Sequence, residues 1–135
     1  MKWVDTLSSK LKSPVFFYNF GYEGADTIIK AFQTHSGDAK VGHAEELTYL
    51  FPQNSVHLRG SDTSTSEILI DLWTSFAING KPTSNLLPNP DMWTPYKDNM
   101  SYLEISGSLN KSGPEVILKH SYFPERMNFW KKNSN

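Results

Sequence analysis

The sequence predicts an α/β fold, in which helices pack on a sheet that contains parallel strands. Residues 14–20 (PVFFYNF) form a nearly continuous apolar run of aromatic and β-branched types. Such a run between Pro14 and Gly21 predicts a strand buried on both faces, as in parallel sheets covered by helices. Residues 65–79 predict an amphipathic helix of the kind that covers such a sheet.

The helix predicted over 65–79 is the clearest element of the chain. Residues 64–67 have the spacing of a capping box, and Gly80 followed by Pro82 marks its end. A loop with four prolines is predicted over 81–100. The apolar face of the helix consists of Leu69, Leu72, Trp73, Phe76 and Ala77.

The other elements are shorter. Residues 21–42 contain four glycines and predict a loop with a helical turn at 27–32. Residues 101–106 predict a strand, and residues 115–120 predict either a strand or a helix. Pro124 is placed to begin a last helix. One strand buried on both faces needs parallel neighbours, and these elements supply too few. Either the sheet is small and partly antiparallel, or the chain is a piece of a larger domain.

The composition of the 135 residues is that of a globular protein, with 38% hydrophobic residues and a net charge of -1. The charge excludes the basic footprint of nucleic-acid binding, and no apolar run is long enough to span a membrane. Cysteine is absent, which excludes disulfides, cysteine catalysis and thiolate metal sites. The sequence leaves both a secreted and an intracellular location open. Two N-glycosylation tripeptides begin at Asn99 and Asn110.

His43 is the histidine best placed for chemistry. It follows Gly42 and precedes Glu45 and Glu46, which are predicted to lie in the first turn of a short helix. A loop histidine between a strand and a helix suits general acid–base catalysis. From spacing alone, a turn residue that hydrogen-bonds the backbone is the commoner explanation. The strong zinc spacings are absent, and His43-x-x-Glu46 is too short a pattern to predict a metal site. No Gly-x-Ser-x-Gly nucleophile motif occurs.

Residues 41–51 (VGHAEELTYLF) resemble the histidine motif of type-B carboxylesterases, the α/β-hydrolase relatives of cholinesterases. This version is most similar to insect carboxylesterases and juvenile-hormone-esterase-like proteins. Other segments match family motifs in the same order: PVFFY at 14–18, LWTSFA at 72–77, WTPY at 93–96 with YLEI at 102–105, and ERMNFW at 125–130. The resemblance therefore covers nearly the whole chain.

The resemblance implies an α/β-hydrolase fold and hydrolysis of small carboxylic esters without a cofactor. It assigns His43 to the histidine of a Ser-Glu-His triad, which relays protons between the serine, the leaving alcohol and water. Glu46 matches a supporting acid beside the site. Gly42 is a small residue that lets the imidazole ring approach a nucleophile.

The departure from the family pattern concerns position along the chain. The triad order in this fold is Ser, then acid, then His, so the family's serine, acid and oxyanion-hole glycines would precede residue 1. We therefore expect residues 1–135 to be the C-terminal part of one carboxylesterase domain: late sheet strands, histidine loop and packing helices. On its own this part would be an incomplete fold without esterase activity. A non-catalytic interaction protein of the same superfamily stays open as an alternative, as does an inactive truncated copy.

Overall fold

The computed structural model describes residues 2–25, 41–51, 57–108 and 113–133. Four helices lie within them: α1 (Lys2–Lys10), α2 (Leu47–Leu50), α3 (Ser61–Asn79) and α4 (Pro124–Asn133). The strands are β1 (Tyr18–Glu23), β2 (Ser101–Ser108) and β3 (Glu115–His120). The turn predicted at 27–32 lies outside the described residues.

The three strands form a small mixed sheet in the order β1-β2-β3. β1 pairs with β2 in parallel, with Tyr18 opposite Leu103. β2 pairs with β3 antiparallel, with Leu103 opposite Leu118. The expected α/β class is therefore seen as a partly antiparallel sheet with helices. Residues 115–120, left open between strand and helix, form the edge strand.

β1 begins later than the sequence predicts. Residues 14–17 precede the strand and bond largely to the loop before β2: the carbonyl of Val15 accepts from the Tyr96 amide at 2.7 Å. The carbonyl of Phe17 accepts from the Trp93 indole at 3.1 Å and from the Leu103 amide at 2.9 Å. Burial on both faces is also wrong, because every residue of β1 except Tyr22 is half-buried. In the described part of the chain β1 has one strand neighbour, so one edge stays open.

α3 begins four residues before the predicted start. Its N-cap is Gly60, with φ 53°, and no side chain caps the first turn. The predicted capping box is therefore wrong, because Ser64 lies inside the helix. The predicted C-terminus is confirmed: Gly80 adopts a left-handed φ of 69° and donates to the Phe76 carbonyl at 2.8 Å. Helix α4 begins at Pro124, as expected.

The core lies between α3 and one face of the sheet. Leu69 and Leu72 are fully buried there against Tyr22, Leu103 and Ile105. The predicted apolar face of α3 is covered only over its first half.

Farther along α3, Phe76 is 47% exposed and Ile78 is 79% exposed. None of the described helices is long and apolar enough to cross a membrane.

Truncation of two apolar residues on α3 tests this packing. Leu72→Ala should lower the free energy of unfolding by about 2–5 kcal/mol, because it removes methyl groups and leaves a cavity. Ile78→Ala on the exposed side should change it by less than about 0.5 kcal/mol. Urea titration followed by circular dichroism measures both. Equal costs at the two positions would contradict the assigned core.

Candidate functional site

His43 lies in the turn that leads into α2, and its side chain is exposed. The Glu45 amide donates to the Gly42 carbonyl across this turn at 3.4 Å. Ala44 has a left-handed φ of 65°, which is rare and strained for a residue with a side chain. The turn thereby leaves His43 exposed while Glu45 is fully buried. An exposed imidazole beside buried neighbours can exchange protons with a bound molecule.

Glu46 ties this turn to the sheet. Its Oε1 accepts a hydrogen bond from the Tyr18 hydroxyl of β1 at 3.3 Å. Burial, followed by the charge of Glu46, raises the pKa of Tyr18 to about 12. Tyr18 is therefore a stable donor at neutral pH. The two glutamates precede α2 instead of lying in its first turn, and Glu46 occupies the N-cap position.

Glu45 is buried, which its position as an acid at a helix start does not predict. The side chain is fully buried, together with Thr48 and Tyr49. These residues lie three and four positions farther along, on the same side of a helical turn. That spacing is the one signal in the sequence that could have indicated burial.

A second group of polar contacts joins the end of β1 to the first turn of α3. Asp62 is 1% exposed and accepts from the Tyr22 hydroxyl at 3.1 Å and from the Ala25 amide at 3.3 Å. Burial and the nearby Asp62 charge raise the pKa of Tyr22 to about 12. The sequence analysis did not single out Asp62, since an acid in a first helical turn is ordinary.

An open aromatic cleft adjoins the contact between Tyr18 and Glu46. Its cavity volume is about 160 Å³. Tyr18 contributes its ring to the wall, with its centroid 5.0 Å from Trp73, while its hydroxyl bonds to Glu46. The cleft is thus connected to the histidine turn through one side chain. The other aromatic residues that line it are Phe16, Phe76 and Trp93.

The other predicted residues lie elsewhere. Asn99 is exposed with a left-handed φ of 64°, and Ser101 of its glycosylation tripeptide is buried and donates to the Asp98 carbonyl. Asn110 lies outside the described residues, and glycosylation at both positions stays a prediction. His120 is exposed on β3, with Nδ1 3.3 Å from the Ser101 hydroxyl.

The sequence contains two further histidines, His35 and His57. His57 is exposed, and His35 lies outside the described residues. Across the described ranges, no three His, Asp or Glu side chains come together as a metal site would require.

Comparison with known proteins identifies the class. The model of the carboxylesterase family matches residues 1–130, so the chain belongs to this family, which has an α/β-hydrolase fold. The family resemblance seen in the sequence is confirmed.

Individual relatives agree with this assignment. The chain is 33% identical to juvenile hormone esterase of Heliothis virescens over 101 residues, which is 69% of this chain and 17% of that protein. It is 29% identical to bile salt-activated lipase of Bos taurus over 92 residues, which is 65% of this chain and 15% of the relative. Esterase E4 of Myzus persicae is 23% identical over 104 residues, which is 74% of this chain and 18% of that protein. The matched region is thus less than a fifth of each of these relatives.

Alanine substitutions at two glycines of the first strand and its exit test the junction at Asp62. A Cβ at Gly24 would overlap the Tyr49 hydroxyl and lie 2.9 Å from Asp62 Oδ1. Gly24→Ala should therefore lower the free energy of unfolding by about 1–3 kcal/mol. At Gly21 the nearest atom would be 3.7 Å away, so Gly21→Ala should be neutral or slightly stabilising. Thermal unfolding measures both, and a neutral Gly24→Ala would contradict the close packing.

The raised tyrosine pKa values predict a decline of stability in alkali. The ordinary tyrosine pKa is 10.0, whereas those of Tyr18 and Tyr22 are about 12 in the folded chain. Between these values the unfolded chain loses protons that the folded chain keeps, so stability falls as pH rises from about 10 to 12. Urea unfolding at several pH values should show a smaller fall for Tyr18→Phe. An unchanged fall would contradict the predicted role of Tyr18.

Proposed function

We propose that residues 1–135 are the C-terminal part of a carboxylesterase domain and that His43 is the histidine of its serine-esterase triad. The observation that carries this proposal is the geometry of the turn. The His43 imidazole is exposed, while Glu45 and Tyr49 after it are buried. Glu46 bonds to the sheet, and the Tyr49 carbonyl accepts a hydrogen bond from α3. Family membership of the chain supports the reaction class.

In this proposal His43 moves protons at each step of ester hydrolysis. It accepts the proton of a serine hydroxyl as the serine oxygen attacks the ester carbonyl carbon. It then donates that proton to the oxygen of the leaving alcohol as the acyl–oxygen bond breaks. In deacylation it takes a proton from water, whose oxygen attacks the acyl-serine, and returns a proton to the serine. The substrate class is a small carboxylic ester.

Glu46 and Gly42 have supporting roles in the proposal. Glu46 accepts a hydrogen bond from the Tyr18 hydroxyl and so holds the turn against β1. Gly42 precedes the histidine without a side chain that would crowd the approach of the serine. Neither residue exchanges protons with substrate. A hydrogen-bonded support of this kind matters because small displacements of a catalytic group lower the rate strongly.

The serine and the triad acid are proposed to come from the remainder of the domain, since no Gly-x-Ser-x-Gly occurs in these 135 residues. The open edge of β1 and the aromatic cleft are surfaces that this remainder would cover. A histidine without its nucleophile has little to activate, so the chain assayed alone should not hydrolyse esters.

The decisive experiment is a graft. The region of the Heliothis virescens juvenile hormone esterase that matches this chain is replaced by residues 1–135, and hydrolysis of p-nitrophenyl acetate is measured. His43→Gln should reduce kcat to background, since loss of a triad histidine costs on the order of 10⁶ in kcat. Covalent labelling of the serine by a fluorophosphonate probe should slow in parallel.

The matched control is His120→Gln, at an exposed histidine on β3, which should leave both signals unchanged. Retained activity in the His43→Gln graft would contradict the proposal. A graft that folds, by circular dichroism and gel filtration, yet neither hydrolyses the ester nor takes up the probe would favour the non-catalytic interaction role.

A further inference from the structure

Two buried polar residues on α3 bond to β1, to its exit and to α2, the helix that follows His43. Asp62 and Ser66 lie one helical turn apart, on the same face of α3. Their exposures are 1% and 7%. Each bonds to an element outside its own helix, and neither is part of the triad chemistry.

Asp62 fixes the chain where it leaves β1. Its Oδ1 accepts from the hydroxyl of Tyr22, and its Oδ2 accepts from the backbone amide of Ala25. Within the described ranges the ion pair present is Lys81–Asp91, on the surface, so no described cation pairs with Asp62. Burial of a carboxylate costs free energy that these two donors and the positive end of α3 partly offset. A buried acid with such partners fixes the relative position of the two chain segments that it joins, the exit of β1 and the first turn of α3.

Ser66 fixes the chain after His43. Its hydroxyl donates to the backbone carbonyl of Tyr49 in α2 at 2.6 Å. The Tyr49 ring packs edge-on against Tyr22, with centroids 5.6 Å apart, and lies tilted against Phe20, with centroids 5.4 Å apart. α2 is therefore bound to α3 by a hydrogen bond and to β1 by ring contacts.

The exit of β1 and helix α2 meet at Gly24. A Cβ at this residue would overlap the Tyr49 hydroxyl and would also lie within contact of Asp62 Oδ1. The exit of β1, the first turn of α3 and the helix after His43 thus converge within a few ångströms. Displacement of Asp62 would disturb the packing of Tyr22 and Gly24 against Tyr49, in the helix that follows His43.

We propose that Asp62 and Ser66 are positioning residues for His43, which act through Tyr22 and Tyr49 on the helix that follows it. This inference rests on the proposed function. It predicts that loss of either bond displaces the imidazole from its reacting position while leaving the ester-binding surfaces intact.

The same helix offers a matched control pair. Asp71 and Ser75 have the same residue types and the same spacing, but they hold the loop after α3. Asp71 accepts from the Ser84 hydroxyl at 2.8 Å. Ser75 accepts from the Thr83 amide at 2.8 Å and donates to the Thr83 carbonyl at 2.9 Å. Substitution at this pair removes comparable hydrogen bonds and leaves the contacts of α2 and of the β1 exit unchanged.

In the juvenile hormone esterase graft, Asp62→Asn and Ser66→Ala should each lower kcat about 10- to 100-fold with KM nearly unchanged. Ser66→Thr, which keeps the hydroxyl, should restore most of kcat. Asp71→Asn and Ser75→Ala should lower the melting temperature comparably and leave kcat close to that of the parent. If both pairs lower kcat equally, or if Asp62→Asn and Ser66→Ala change only the melting temperature, the positioning role is wrong.

A second measurement needs no catalysis. In the 135-residue chain labelled with [13Cε1]-histidine, the His43 resonance is assigned by its loss in His43→Gln. Asp62→Asn and Ser66→Ala should shift or broaden it, whereas Asp71→Asn should not. The His120 resonance serves as an internal reference. An unmoved His43 resonance in both variants would overturn the inference.

The two hypotheses fail in different ways. If His43→Gln leaves the graft active, the proposed function is wrong, and the resonance of His43 still decides whether Asp62 and Ser66 fix its position. If His43→Gln abolishes activity while Asp62→Asn and Ser66→Ala behave as the control pair does, only the positioning role is wrong.

Discussion

The parallel pairing of β1 with β2 is the constraint on which the rest of the structure depends. Tyr18 pairs with Leu103, so the chain must cross from one end of the sheet to the other between the two strands. The crossover contains α2 and α3, and α3 lies on one face of the sheet, where Leu69 and Leu72 are buried. The histidine turn also lies between the two strands along the chain, and its Glu46 bonds to Tyr18, the first residue of β1.

The pairing also explains why the sheet has two unlike faces. Tyr18, Phe20 and Tyr22 alternate toward α3 and α2, where their rings contact Trp73 and Tyr49. On the opposite face, the Asn19 amide donates to the Glu104 carboxylate at 3.1 Å, and the Tyr122 hydroxyl donates to Asn19 Oδ1 at 3.0 Å. The apolar face builds the core and the support of the histidine turn. The polar contacts fix the chain that leads from β3 into α4.

Local signals in the sequence determined two helix boundaries better than they determined the start of β1. Gly80 marks a helix end and Pro124 a helix start, because each residue type favours a particular backbone geometry whatever surrounds it. Both predictions are confirmed. The apolar run at 14–20 is different, because its sequence is the same whether its carbonyls bond to a strand or to a loop. Trp93 and Tyr96 decide this, and they lie far along the chain. The capping-box spacing at 64–67 failed because the helix begins at Ser61, so Ser64 lies inside it.

The candidate site likewise contains residues that a local motif indicates and residues that are noticed only because the structure buries them. His43 and Glu46 stand out in a local motif, and the structure places the first exposed and the second against β1. Asp62 carries no such motif, and its partner Tyr22 is 40 residues away. Pairing over that distance depends on the crossover and so could not be inferred from spacing.

A catalytic histidine needs a position fixed to within a fraction of an ångström as well as a suitable pKa. The bonds proposed to fix that position, from Tyr18, Asp62 and Ser66, are all internal to this chain. Two open surfaces adjoin these bonds: the aromatic cleft, where Phe76 is partly exposed and Tyr18 lines the wall, and the β1 edge that has no strand neighbour in the described chain. In the proposed esterase this segment would therefore bring a histidine already oriented by its own contacts, and the nucleophile would come from the polypeptide that covers the open surfaces.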